Sequence, residues 1–159
     1  VSGERAVLLD NIISLDEALT GLNVTRYFKG VSLGETLDDA TAETVIGTGV
    51  RIRPISPVHI AGSRDGSNNL SLTWFRRARV DADWRDGVET PLDEPVEAYE
   101  IDVLLSSAVV RTIASSAAAA SYSAAEQVSD GIVPGDPVSL KIYQLSTRVG
   151  RGYPGSATV

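Results

Sequence analysis

The chain has 159 residues, is 43% hydrophobic and carries a formal net charge of −7. It can therefore bury a sizeable core in one domain plus a smaller flanking element, and it lacks the surplus of Lys and Arg that a nucleic-acid surface demands. Cysteine and methionine are absent, which removes disulfides and thiolate metal sites, and a chain that starts at Val1 with no initiator residue reads as a segment of something longer.

No apolar run approaches the ~20 residues needed to span a bilayer, and VSGERAVLLD lacks the basic start and apolar stretch of a secretory signal. Residues 1–51 form a β-rich segment: AVLLDNIISL and VTRYFKGVSL read as strands, DEALTG as a helical turn, and LDDATAETVIGTG as a polar return into a strand at VRIR. That is too little core for an independent domain, so the segment is expected to dock on the larger C-terminal part of the chain or to end an upstream domain.

From Leu70 onward, apolar runs of strand length alternate with turn signals, the pattern of an all-β sandwich, here expected to span residues 52–159 with about seven strands. LSLTW sets Leu70, Leu72 and Trp74 on one face. SRDGSNN (63–69) supplies the turn before it. The charged stretch from Asp81 to Pro95 has little periodicity and reads as a long exposed loop. AYEIDVLL turns Tyr99, Ile101, Val103 and Leu105 inward and Glu100 and Asp102 outward. IASSAAAASYSAAEQVSDG favours helix by its alanines, but a sandwich needs a strand there, so a short strand over 119–122 running into one helical turn is expected. Ser123 and Glu126 form a capping box, with Gly131 as the stop. VSLKIY turns Val138, Leu140 and Ile142 inward and Ser139, Lys141 and Tyr143 outward. The core is thus expected to be built on Trp74, Tyr99, Ile101, Leu140 and Ile142.

Candidate sites divide on spacing and company. Asp81, Asp83, Asp86 and Gly87 invite a calcium reading, but Asp86 and Leu92 stand where an EF-hand loop needs its glycine and its glutamate. Arg76, Arg77 and Arg79, with Arg51 and Arg53, are expected to pair with Asp81, Asp83, Asp93 or Glu94 rather than with phosphate. His59, the only histidine, has no G-x-S-x-G elbow to work with. Asp93, Glu94 and Glu97 lie beside prolines without a convergent partner. Asn23-Val24-Thr25 and Asn69-Leu70-Ser71 match the glycosylation pattern by chance. No catalytic, cofactor-binding or metal-binding residue is expected. Trp84, Phe75, Tyr143 and Tyr153 point outward or lie in loops, and Trp84, Arg151 and Tyr153 are the candidate interaction residues, suited first to a protein surface and second to a glycan.

Trp74 near the end of one strand, Tyr99 opening the next, and the closing VSLKIYQLSTRVGRGYPGSATV resemble a fibronectin type III domain over residues 54–159. Val138 stands where that family's corner tyrosine is expected. More narrowly, the succession RPISPVH, LTWFRRAR, PLDEPVEAYEIDVL, VVRT, YSAAEQVSDG and YQLSTRVGRGYPG is similar to the C-terminal part of tail-tip, baseplate-hub or host-specificity proteins of long-tailed phages and gene transfer agents. That resemblance implies a virion structural protein at the tail tip, present in several copies around the tail axis, with other tail subunits as partners and a host surface glycan or receptor as a further one. The rival readings are a free-standing carbohydrate- or receptor-binding module and an accessory domain of a secreted glycoside hydrolase.

Overall fold

The computed structural model describes residues 22–34, 36–80, 83, 86, 87 and 89–159. The chain divides into two compact units, Val1–Gly49 and Val50–Val159. The strand and helical turn expected within residues 1–21 lie outside the described residues.

In the first unit, β1 (Thr25–Lys29) and β2 (Ala42–Ile46) form an antiparallel hairpin. The second strand falls inside the stretch expected to be a polar return. The strand expected at VRIR is instead a 3₁₀ turn, Val50–Ile52. Gly49, at φ 68°, bends the chain just before it, and Pro54 comes soon after, lacking the N–H that a ladder would need.

The second unit contains β3 (Val58–Arg64), β4 (Leu70–Phe75), β5 (Tyr99–Leu105), β6 (Ala108–Ser115), β7 (Ala119–Tyr122), helix α1 (Ala124–Ser129), β8 (Ser139–Ser146), the two-residue β9 (Gly150–Arg151) and β10 (Gly155–Thr158). They build two antiparallel sheets, β3-β4-β7 and β10-β8-β5-β6, with β9 added to β8. Leu70, Leu72, Trp74 and Tyr122 from the smaller sheet meet Tyr99, Ile101, Val103, Leu140 and Ile142 from the larger in one buried cluster. The unit is a fibronectin type III-like β-sandwich.

Trp74 and Tyr99 pack edge to face across the two sheets, with centroids 5.1 Å apart. An aromatic of that size removes on the order of 200 Å² from water, or roughly 5 kcal/mol at 25 cal/mol per Å². Val138 fills the corner position as a buried aliphatic, and its backbone exchanges two hydrogen bonds with Val159 (2.7 and 3.0 Å).

The strict alternation expected along β5 breaks at its end. Val103 faces Arg111 but Leu104 faces Val109, so Val110 is an extra residue on the edge strand β6. Past this bulge Leu105, expected inward, is 40% exposed at the rim. A bulge bends an edge strand and interrupts the row of groups it offers to a second sheet.

Several polar contacts fix the helix. Ser123 and Glu126 complete the capping box, and the fully buried Gln127 gives its amide N–H groups to Asn68 O and Tyr122 O (both 3.0 Å) while its Oε1 accepts from Arg64 (3.0 Å). Asn69 of the neighbouring turn donates to Asp65 and accepts from the Ala124 N–H (2.8 and 2.9 Å), so both ends of its amide are engaged. At the other end of α1, Arg111 grips Asp130 through Nε and Nη2 (2.5 and 3.0 Å) and the Tyr122 hydroxyl donates to the same carboxylate (2.7 Å), which ties β6 to the helix.

The last strand passes close against the start of the sandwich. A Cβ on Gly155 would collide with the Pro57 carbonyl, and one on Gly152 would lie 2.7 Å from Pro54 O. Glycine is required at both places because backbone, not a movable side chain, occupies the space.

Candidate interaction surfaces

The turn from β8 to β10 carries two of the three interaction candidates. Arg151, on β9, lies across the outer face of the larger sheet. Its Nη1 and Nη2 donate to the two oxygens of Asp102 (2.6 and 3.0 Å), its Nε donates to Glu100 (2.5 Å), and its guanidinium stacks 4.5 Å from the Tyr143 ring centre. The bidentate fork matches carboxylate geometry, which Lys would not.

Asp102, expected to point outward, does leave the core face, but Arg151 and Thr112 cover it until only 3% remains exposed. Burial opposes its charge, yet the hydrogen bonds from Arg151 and Thr112 prevail and hold its carboxyl below the usual range. The same Asp102 hydrogen bonds raise the pKa of Arg151. The charge of Arg151 is thus engaged within its own sheet. Local sequence carries no sign of this, because the partners lie about fifty positions apart and meet only through the β8–β5 register.

Tyr153 is anchored by its backbone N–H to Pro54 O (2.9 Å), and its ring packs under the Arg53 guanidinium, which lies 5.5 Å from the ring centre. The residue as a whole is 40% exposed. Trp84, the third candidate, lies outside the described residues.

The basic cluster fastens both ends of the long β4–β5 loop. Arg76 donates to Thr90 O (2.7 and 3.0 Å) and pairs with Glu89 (2.9 Å) and Glu97 (3.1 Å). Arg79 pairs with Glu94 (3.0 Å), and its backbone N–H donates to the Asp93 carboxylate. Arg77 donates to Ser56 O (3.0 Å). The Tyr99 hydroxyl donates to Glu97 (2.8 Å). Burial first, and then the Glu97 carboxylate, push its pKa well above the ordinary tyrosine value.

His59 sits at a bulge with φ 51° and sets its ring edge to face against Phe75, with centroids 5.9 Å apart. Among the described residues, no group of three or more acidic or histidine side chains is placed to hold a metal ion. Among them, too, no helix is long and apolar enough to cross a membrane.

One exposed apolar surface is not singled out by local sequence patterns. In the β1–β2 hairpin, Tyr27 is 73% exposed, and Phe28, Val45 and Ile46 are all more than half exposed. The register puts Tyr27, Thr44, Thr25 and Ile46 on one face and Phe28, Glu43, Arg26 and Val45 on the other. Neither face is wholly polar. The available signal lies in the adjacent pairs Tyr27-Phe28 and Val45-Ile46, since neighbours in a strand point to opposite faces.

Family models and curated proteins yield no match to the chain. Among solved structures it is similar to the rat CD45 extracellular region, domains d3-d4, at 15% identity and TM-score 0.48, over 100% of this chain and 76% of that one. A fibronectin type III domain derived from the human KIAA0970 protein is similar at 12% identity and TM-score 0.44, over 70% of this chain and 74% of that one. The FN5 domain of Drosophila Lar is similar at 13% identity and TM-score 0.35, over 67% and 96%.

Proposed function

We propose that this chain is a non-catalytic interaction module of a phage-like tail tip or baseplate, acting in tail assembly and in attachment to the host cell. The observation that carries the reading is the hairpin with apolar side chains exposed on both faces, in one chain with a sandwich that already has its own closed core. A two-stranded hairpin is at best marginally stable alone in water, and exposed apolar surface of this kind is the mark of a partner-binding site.

In this reading the neighbouring tail subunits cover the hairpin, copies of the chain surround the tail axis in the virion, and the loops around Trp84 and Tyr153 face either those neighbours or a host receptor. The module holds no cofactor and contacts no nucleic acid. The test uses the complete particle. Phe28→Ser with Val45→Ser should abolish particle formation, whereas Trp84→Ala with Tyr153→Ala should either do the same or leave particles that no longer adsorb. Both pairs of variants assembling, adsorbing and infecting as wild type would overturn the proposal.

A further inference from the structure

A second surface lies on the outer face of the larger sheet. On that face the register aligns Ser156, Lys141 and Asp102 in one row and Thr158, Ser139 and Leu104 in the next. The β5–β6 turn closes one side with Ser106 and Ser107, and together these residues, Asp102 excepted, line an open groove of about 600 Å³. Its walls are hydroxyls, its floor includes the half-buried Leu104, and Lys141 is the only charged side chain among the groove's lining residues.

The charge pattern is the informative part. Lys141 stands opposite Asp102, but both oxygens of that carboxylate are taken by Arg151 and one of them also accepts from Thr112. The exposed ammonium is therefore left facing the groove with only a through-space attraction to Asp102. Ser139 and Thr158 hydrogen-bond each other at 2.9 Å, which fixes one hydroxyl pair in place. Ser106 and Ser107 both hold positive φ, 50° and 71°, in a two-residue hairpin turn where Asn-Gly is the relaxed choice.

We infer that this groove binds a carboxylate-bearing saccharide: the hydroxyls exchange hydrogen bonds with sugar hydroxyls, Leu104 supports an apolar sugar face, and Lys141 receives the carboxylate. A single ammonium without an arginine fork or a nest of backbone N–H groups is poorly matched to phosphate. The site lies across the face of the sheet, so it does not offer the backbone edge that an added peptide strand would use. The inference rests on the proposed attachment role only for the origin of the saccharide. Binding by the isolated chain is independent of particle assembly, so either can fail without the other.

The experiment follows amide shifts of the ¹⁵N-labelled chain during titration with tetragalacturonate, its carboxyl-reduced neutral counterpart, and acetate at matched ionic strength. The acidic saccharide should shift residues 104–107, 139–141 and 156–158 and saturate with a dissociation constant on the order of 1 mM. Lys141→Ala, at an exposed position that leaves the fold intact, should weaken binding by about three- to fivefold, and Lys141→Arg should retain it. The neutral counterpart should bind wild type and Lys141→Ala alike, and Ser156→Trp should block both saccharides. The inference is overturned by shifts located elsewhere, by no saturable shift up to about 10 mM, by equal affinity for the acidic and neutral saccharides, or by acetate reproducing the full pattern.

Discussion

The two units of the chain treat apolar side chains in opposite ways. In the sandwich, nine buried apolar residues from both sheets form one cluster with Ile132 and Val138; in the hairpin unit, no described residue is buried. Both contain strands with similar side chains, so composition does not separate them. The difference is that β4 and β8 each have a facing sheet to receive their inward residues, while among the described residues of their unit β1 and β2 pair only with each other. Burial needs a second layer, and among the described residues of the hairpin unit no second layer faces β1 and β2.

That contrast can be broken most forcefully at Trp74. Trp74→Ala should lower the unfolding free energy of the sandwich by about 3–5 kcal/mol, measured by urea denaturation, and an unchanged midpoint would mean that the core is organised around something else. Gly155→Ala should cost about 1–3 kcal/mol, because the new methyl meets the Pro57 carbonyl and the backbone must shift. The same substitution at Gly66, whose added Cβ would meet nothing within 4 Å, serves as its control.

A finer test uses the outer sheet face. Asp102→Asn should cost about 1–2 kcal/mol at neutral pH, less than a fully buried pair because the Arg151 end is partly exposed and screened. Asp102 and Asp130 both hold their carboxyls below the usual range, Asp130 chiefly through its hydrogen bond from Arg111. A depressed folded-state pKa contributes stability that is fully present above the unfolded value of about 3.9 and is lost as pH falls through the folded value. Wild type should therefore weaken below about pH 4, and Asp102→Asn should show a shallower loss over that range in the same denaturation series. The smallest effect belongs to the hairpin: Phe28→Ser should move the sandwich midpoint by less than about 0.5 kcal/mol. A larger shift would show that the sandwich depends on that side chain and would remove the contrast between the units.

Whatever depends on local period is legible in the sequence. LSLTW and VSLKIY alternate strictly, and Ser123 with Glu126 announces a helix start by a bond that spans three residues. Register between distant strands is not legible there. The bulge at Val110 is invisible in the run AVVRTIAS, and with it goes the exposure of Leu105. The fastening of Arg151 to Asp102 needs β8 to align with β5, and the 3₁₀ turn at Val50–Ile52 overrides an apolar–basic alternation because Gly49 and Pro54 flank it. The functional candidates divide in the same way: sequence picks out Tyr153 as an aromatic in a loop, whereas the pairs Tyr27-Phe28 and Val45-Ile46 signal two apolar faces only once both stretches are known to be strands, and pairing shows which residues share a face.

The close passage of β10 against the start of the sandwich also sets the order of events in folding. Gly155 meets Pro57 and Gly62 meets Val159, contacts that join positions almost one hundred residues apart, and the loop-closure entropy of such pairs makes them slow to form. During synthesis the β5–β6 hairpin and the β7–α1 cap can assemble from neighbouring sequence. The groove beside Lys141 can form only after the last strand has been made, and the seat of Tyr153 on Pro54 only once the turn before that strand exists, so both surfaces arise late.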